Sequence, residues 1–253
     1  MFRNKNNNPR LILAKLRRGD YAHAGETEAI DIVLDKIKYI DTQNLKKINT
    51  KILDVGCGLG GTAEYIKNKT SYEVYGIDID EASLNHAKKH YPDIRFFLCD
   101  SQSITSEISK EKFDIIYMFN VFYAFQNQRK ALEELSKISK QGTILAIFDY
   151  TQAEKNSFEL KDFSEKEMNP IYLKDLAIWL KETNWELIEI ADLSDKYKQW
   201  YADFLNQFQK NKNKLLEEFT EEAVDKVDKT FSLLLNKIED KKMGGSIIYA
   251  RRK

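Results

Sequence analysis

Asp54 stands two residues ahead of a run of glycines in "ILDVGCGLGG", residues 52–61. Gly56, Gly58 and Gly61 satisfy the spacing G-x-G-x-x-G, in which a strand turns sharply into a helix and backbone N–H groups face a ligand. The usual ligand of such a turn is a pyrophosphate. Asp54 argues against it, because like charges ~4 Å apart repel by about 1 kcal/mol in water and about 4 kcal/mol near a protein surface. A ligand without phosphate but with an ammonium and a sulfonium fits better, and S-adenosylmethionine is such a ligand. Asp78, near the end of the next apolar run, can take both hydroxyls of a ribose. Asp100 closes the third run, where its carboxylate or a neighbouring N–H meets an adenine edge, with Ile79 against the adenine face.

Parallel strands must carry these groups to a common edge. The apolar runs "KILDVG", "YEVYGIDI", "IRFFLCD", "FDIIYMFN" and "GTILAIFDY" alternate with helical stripes. Helices are read at Glu26–Ile40, Gly61–Asn68, Glu81–His90 (stopped by Pro92), Gln128–Ile138 and Leu173–Leu180. "WELIEIADLS" reads as a sixth strand and "GGSIIYARR" as a seventh. Continuous apolar runs separated by helices imply a parallel sheet covered on both faces. Tyr197, Trp200, Tyr201, Phe204, Leu205 and Phe208 make an aromatic helical stripe between the last two strands, and Val224, Val227, Phe231 and Leu234 begin another. Both are expected to pack as a cap. Residues 1–10, rich in Asn, read as a loose arm.

Of 253 residues, 42 % are hydrophobic, enough for a sizeable core. Forty Lys plus Arg balance forty Asp plus Glu, and basic residues cluster only at Arg17-Arg18 and Arg251-Arg252-Lys253. Nucleic acid is therefore not expected as a partner. Cys57 and Cys99 make neither a metal spacing nor a disulfide framework, which suits a reducing cytoplasm. No stretch has the apolar character of a signal peptide or a membrane span, so a cytoplasmic protein without membrane contact is expected. His86 and His90 stand at i, i+4 without an evident third ligand and read as a solvated helix face, with no metal.

The segments "ILDVGCGLGG", "GIDID", "FFLCDSQSI" and "FDIIYMFNVFYAF", in this order, resemble the class I S-adenosylmethionine-dependent methyltransferases over roughly residues 20–150. "GDYAHAGE", "IFDYTQAEK", "ADLSDKYKQW" and "EDKKMGGSIIYARRK" are similar to the phosphoethanolamine N-methyltransferases, and more loosely to the sarcosine/dimethylglycine type. The resemblance implies an α/β, Rossmann-like seven-stranded sheet, mostly parallel with an antiparallel last strand. Helices would cover both faces, and a helical cap would be inserted between strands six and seven. As a single domain over 1–253, the chain would divide into an arm with cofactor-covering helices (1–45), a cofactor-binding core (46–150), a lid (151–170) and the cap (195–242).

S-adenosylmethionine would be the cofactor and S-adenosylhomocysteine the product, with a small molecule methylated on nitrogen or oxygen. The segment before the first strand closes over the cofactor in such enzymes, which implies Tyr21, Ala22 and His23 near it. Cys57, Gly60, Ser101 and Phe119 would join Asp54, Gly56, Gly58, Asp78, Ile79 and Asp100 in binding it. Tyr123, Tyr150, Lys241 and Lys242 fall among the substrate-binding positions.

The chain departs from the phosphobase enzymes in carrying Asn120 for an Asp and Ala124 for a His, and no Arg between residues 151 and 170. The catalytic expectation then falls on His23, with an ordinary pKa near 6.5, to orient or deprotonate the acceptor. Asn120 is expected to hydrogen-bond the acceptor's polar group. Plainer roles stand beside these: Asp100 as the cap of the next segment, the aromatics Phe119 to Phe125 mostly as core, and His23 in a surface loop. Two other functions share the motifs, a nicotinamide-dependent oxidoreductase and a non-catalytic S-adenosylmethionine-binding module, the latter motivated by Ala124. A monomer or homodimer is expected.

Overall fold

The computed structural model describes residues 5–40, 50–108, 110–155, 161 and 167–253. Helix α1 (Pro9–Leu16) begins with Pro at its first turn, and Asn8 caps it by accepting a hydrogen bond from Arg10 N at 3.0 Å. The expected loose arm is tied down from Lys5 onward. Asn6 donates to the Glu218 carbonyl and accepts from Thr220 N, both at 3.0 Å. Nothing local announces this, because the partners lie at the far end of the chain.

Helix α2 (Glu26–Ile40) turns Ala29, Ile30, Val33, Leu34 and Ile37 inward. The alternation follows: β1 (Lys51–Val55), α3 (Gly61–Lys69), β2 (Glu73–Asp78), α4 (Glu81–His90), β3 (Arg95–Leu98), α5 (Ile104–Ile108) and β4 (Phe113–Phe119). A short 3-10 turn (Phe122–Ala124) leads to α6 (Gln128–Lys137), β5 (Ser139–Gln152), α7 (Leu173–Glu182) and β6 (Trp185–Asp192). Two long helices, α8 (Ser194–Glu218) and α9 (Glu221–Glu239), precede β7 (Met243–Arg252). Asp80 caps α4 by accepting from Ser83 N, and Lys88, Lys89 and His90 complement the carbonyl end.

The sheet has seven strands in the order β3-β2-β1-β4-β5-β7-β6. Its pairs are parallel from β3 to β5, whereas β7 runs antiparallel to both β5 and β6. This is the expected fold class. One face is covered by α1 to α4, α8 and α9, through side chains such as Ile30, Ile66, Tyr201 and Phe231. Leu132, Leu135, Leu176 and Leu180 from α6 and α7 cover the other, and Trp185 donates to the Leu132 carbonyl at 3.1 Å. The chain leaves β1 toward β2 on one side and returns as β4 on the other. Their carboxyl ends therefore open a crevice at the point where strand order reverses.

Candidate active site

The glycine turn follows β1 and is pinned to β2, since Gly56 N and Cys57 N both donate to the Ile77 carbonyl, at 2.7 and 3.0 Å. Gly58 has φ +52°, and no atom lies within 4 Å of where a Cβ would stand, so a side chain would fill open space. Gly60 is the side-chain-free N-cap of α3. Asp78 shapes this turn as well as facing it: its Oδ2 accepts from Gly58 N at 2.8 Å and its Oδ1 from Asp80 N at 2.9 Å. Each oxygen keeps a further lone pair. The neighbouring Ile79 is an apolar side chain left 61 % exposed.

Asp54 is 2 % exposed, and its Oδ2 has no hydrogen-bond partner. Burial pushes its carboxyl up to about 8, the Asp78 charge adds to the rise, and the Tyr117 hydroxyl beside it opposes it. Neither Asp54 Oδ2 nor the Tyr117 hydroxyl meets full hydrogen-bond geometry. At Asp100, Oδ1 accepts from Gln102 N at 2.8 Å and the carbonyl from Ser103 N, a local turn ahead of α5. Ser101 lies half-buried in the same turn. Burial raises both thiols, Cys99 to about 12, so neither is a nucleophile near neutrality. An orphaned carboxylate oxygen, an uncrowded glycine and an exposed apolar side chain suit the ammonium, backbone approach and adenine face of S-adenosylmethionine.

Between α1 and α2, residues 17–25 lie across the crevice as a strap. Asp20 Oδ2 accepts from the Tyr91 hydroxyl at 2.7 Å and lies 2.8 Å from His86 Nε2. Its backbone approaches within 2.7 Å of where a side chain on Gly61 would begin. His86 is therefore engaged rather than simply solvated, while His90 stacks on it at 3.9 Å and stays exposed. Among the described residues no group of three His, Cys, Asp or Glu is placed to hold a metal. Tyr21 is half-buried in the same strap.

His23 is 3 % exposed, which removes the surface-loop reading. Its Nδ1–H donates to the Ala24 carbonyl at 2.9 Å, leaving Nε2 to accept from the Thr62 hydroxyl at 3.0 Å. Burial pushes the imidazole down to about 3, and the Arg17 charge acts in the same direction. The expectation of an ordinary pKa near 6.5 is thus corrected: His23 is neutral and internally bonded. The His23 imidazole proton resonances should accordingly stay constant from about pH 5 to pH 8. An NMR titration showing His23 inflecting near 6.5 would restore it as a base.

Asn120, at φ +47°, holds strap and cap together: Oδ1 accepts from Ala24 N at 3.1 Å and Nδ2 donates to the Tyr197 hydroxyl at 3.0 Å. Each end of its amide thus already has one partner within the protein. Phe119, 7 % exposed, lies with its ring 4.6 Å from that of His23.

On the other side of the crevice, the rings of Tyr123 and Tyr150 meet edge to face at 5.2 Å, and the Tyr150 hydroxyl pairs with that of Tyr201. Lys241 and Lys242 stand exposed at the turn into β7, whose Lys242 carbonyl accepts from Ala153 N at 3.2 Å. They mark the rim. The expected lid lies partly outside the described residues; at its end, Asn169 N donates to the Tyr123 carbonyl at 2.7 Å.

Several residues here escaped sequence reasoning. Asp149, 0 % exposed, accepts with Oδ2 from the N–H groups of Val121, Phe122 and Tyr123, at 3.0, 2.6 and 3.2 Å. Its Oδ1 accepts from Tyr150 N at 2.7 Å, so one carboxylate fixes the whole turn after β4. An acid inside the apolar run "ILAIFDY" was the available signal. Asp20, Thr62, Tyr197 and Tyr201 carried none, because their roles come from distant partners.

A family model described as a methyltransferase domain matches residues 46–222. Phosphoethanolamine N-methyltransferase of Plasmodium falciparum is 28 % identical over 229 residues, 88 % of this chain and 82 % of that protein. Phosphoethanolamine N-methyltransferase 1 of Arabidopsis thaliana is 24 % identical over 196 residues, 75 % of this chain but only 39 % of the plant protein's length. The crystal structure of Haemonchus contortus phosphoethanolamine N-methyltransferase 2, with phosphomonomethylethanolamine and S-adenosylhomocysteine, superposes with a TM-score of 0.71 at 18 % identity. That match covers 97 % of this chain and 60 % of the other, and at such identity it speaks for the fold.

Proposed function

The chain belongs to the methyltransferase-domain family, and from that premise we propose that it moves the methyl group of S-adenosylmethionine to a nitrogen or oxygen of a small acceptor. The unpartnered, buried Asp54 oxygen in a glycine turn whose Gly58 faces open space is the observation that carries this reading. When bound, the cofactor supplies an electrophilic methyl on a sulfonium. The protein's part is to align the acceptor in line with that methyl and to exclude water. Asp54, Asp78 and Ile79 hold the cofactor. His23 and Asn120 hold the strap above it. An amine arriving with a free lone pair needs no base, which agrees with a neutral His23 and with Ala124. Tyr123 and Tyr150 line the acceptor's place, and Lys241 and Lys242 at the rim meet an anionic part of it. In this reading residues 1–45 cover the cofactor, 46–150 bind it, 151–170 act as a lid and 195–242 form the cap.

Proton linkage gives a direct test. Below about pH 8 Asp54 is protonated in the cofactor-free protein and ionised against an ammonium, so binding should release about one proton. S-adenosylhomocysteine affinity should then rise about tenfold per pH unit toward pH 8 and level off above it. Calorimetry at pH 6.5 in phosphate and in Tris should give enthalpies that differ accordingly. Equal enthalpies would remove Asp54 from the ammonium site.

A panel of amines, phosphobases and phenols, assayed for S-adenosylhomocysteine release, should contain at least one that turns over. Tight cofactor binding with no turnover across the panel would favour the non-catalytic module, for which Ala124 and the already bonded Asn120 are the motivating observations.

A further inference from the structure

Arg17 belongs to one of the two short basic clusters in the sequence. The structure buries it, with a side chain 2 % exposed. Nη1 donates to the His23 carbonyl at 2.5 Å, and Nε lies 3.0 Å from Glu26 Oε1 without the alignment of a hydrogen bond. The guanidinium carbon stands 5.0 Å from the centroid of Phe204 and 5.6 Å from that of Phe231, the first on α8 and the second on α9. One side chain thus touches the strap at His23, the start of α2 at Glu26, and both helices of the cap.

Taking a guanidinium out of water is costly, and an apolar side chain of similar length would fill the same space against the two rings. What the apolar side chain would lack is the donor to the His23 carbonyl. That carbonyl belongs to the residue whose ring packs on Phe119 and bonds Thr62 at the head of α3. Just beyond the strap, Glu28 on α2 accepts from Trp200 Nε1 of α8 at 2.9 Å, a second tie to the cap. Asp20 anchors the strap's opposite end to α4. The strap over the glycine turn is thus bonded to α4 at one end and packed on α8 and α9 through Arg17 at the other.

We propose that Arg17 is a positioning residue for methyl transfer, which couples seating of the α8–α9 cap to closure of residues 19–24 over the cofactor. The proposal rests on the methyltransferase reading. Its consequence is that the acceptor side and the cofactor side of the crevice close as one body.

Hydrogen exchange on the wild-type protein provides the first test. Adding S-adenosylhomocysteine should slow exchange in residues 19–25 and, in the same step, in the stretch of α8 from Tyr197 to Phe208. Protection of the strap with no change in α8 would overturn the coupling, and this outcome needs no variant. Arg17→Met keeps the packing on Phe204 and Phe231 and removes the donor. It should melt close to wild type yet bind S-adenosylhomocysteine roughly 10- to 100-fold more weakly, with faster exchange in residues 19–25. Arg17→Lys, which keeps the charge, should recover part of that affinity. Wild-type affinity and exchange in Arg17→Met would overturn the proposal alone. A wild-type protein that binds no S-adenosylhomocysteine would instead sink the cofactor reading itself, and the proposal with it.

Discussion

Asp78→Ala should bind S-adenosylhomocysteine roughly 30- to 150-fold more weakly than wild type, a loss of about 2–3 kcal/mol. Two effects combine. The ribose loses a charge-assisted pair of bonds, and the glycine turn loses the acceptor that holds Gly58 N at 2.8 Å. Asp78→Asn separates them, because an amide oxygen can still receive Gly58 N–H while the charge is gone. It should therefore lose less than the alanine variant. Isothermal calorimetry on the three proteins decides the matter, and unchanged binding in Asp78→Ala would take Asp78 out of the site.

The second large effect is on stability. Asp149→Ala leaves four N–H groups, those of Val121, Phe122, Tyr123 and Tyr150, without their acceptor. Stranding these donors costs about 3–5 kcal/mol together, or roughly 10 °C in melting temperature for a chain of this size. The turn carrying Asn120 and Tyr123 would loosen with it, so acceptor turnover should fall even where the fold survives.

Burial pushes the Asp149 carboxyl up to about 7 against the N–H bonds that pull it down. With the folded value above the unfolded one, the native state binds the proton more tightly. Stability from this group is therefore greatest below about pH 4 and declines as pH rises to about 7. Asp149→Asn removes that slope. Urea unfolding at pH 5 and pH 7 should show a smaller difference in the Asn protein than in wild type; an equal difference would assign the slope elsewhere.

The parts of the fold that were legible share a physical reason. β1, β2 and β4 are buried on both faces and so read as unbroken apolar runs. The limits of α4 followed from its own ends, with Asp80 as cap and Pro92 just beyond. Asp54 and Asp78 could be singled out because a carboxylate beside a glycine turn changes which ligand the turn can take. His23, Arg17 and Asp149 were misread or missed for the opposite reason. Their surroundings are set by residues far along the chain: Thr62 for His23, Phe204 and Phe231 for Arg17, and the turn after β4 for Asp149. A local pattern supplies the residue type but not the distant partner. Asn120 shows both sides, since its place after β4 was legible while its bonds to Ala24 and Tyr197 were not.

The strand that comes last in the chain does not lie at the edge of the sheet. β7 is threaded between β5 and β6, pairing Ile144 with Arg251 on one side and Trp185 with Arg252 on the other. Until residues 243–252 arrive, β5 presents an open row of N–H and C=O groups flanked by apolar side chains, and β6 has no strand beside it. Closing that gap requires some of the most sequence-distant pairings in the sheet, the kind that form slowly and leave an intermediate prone to self-association. During synthesis the cofactor-binding half can emerge and pack before residues 243–252 close the sheet. Folding yield would thus be governed by the final strand rather than by the glycine turn where the chemistry takes place.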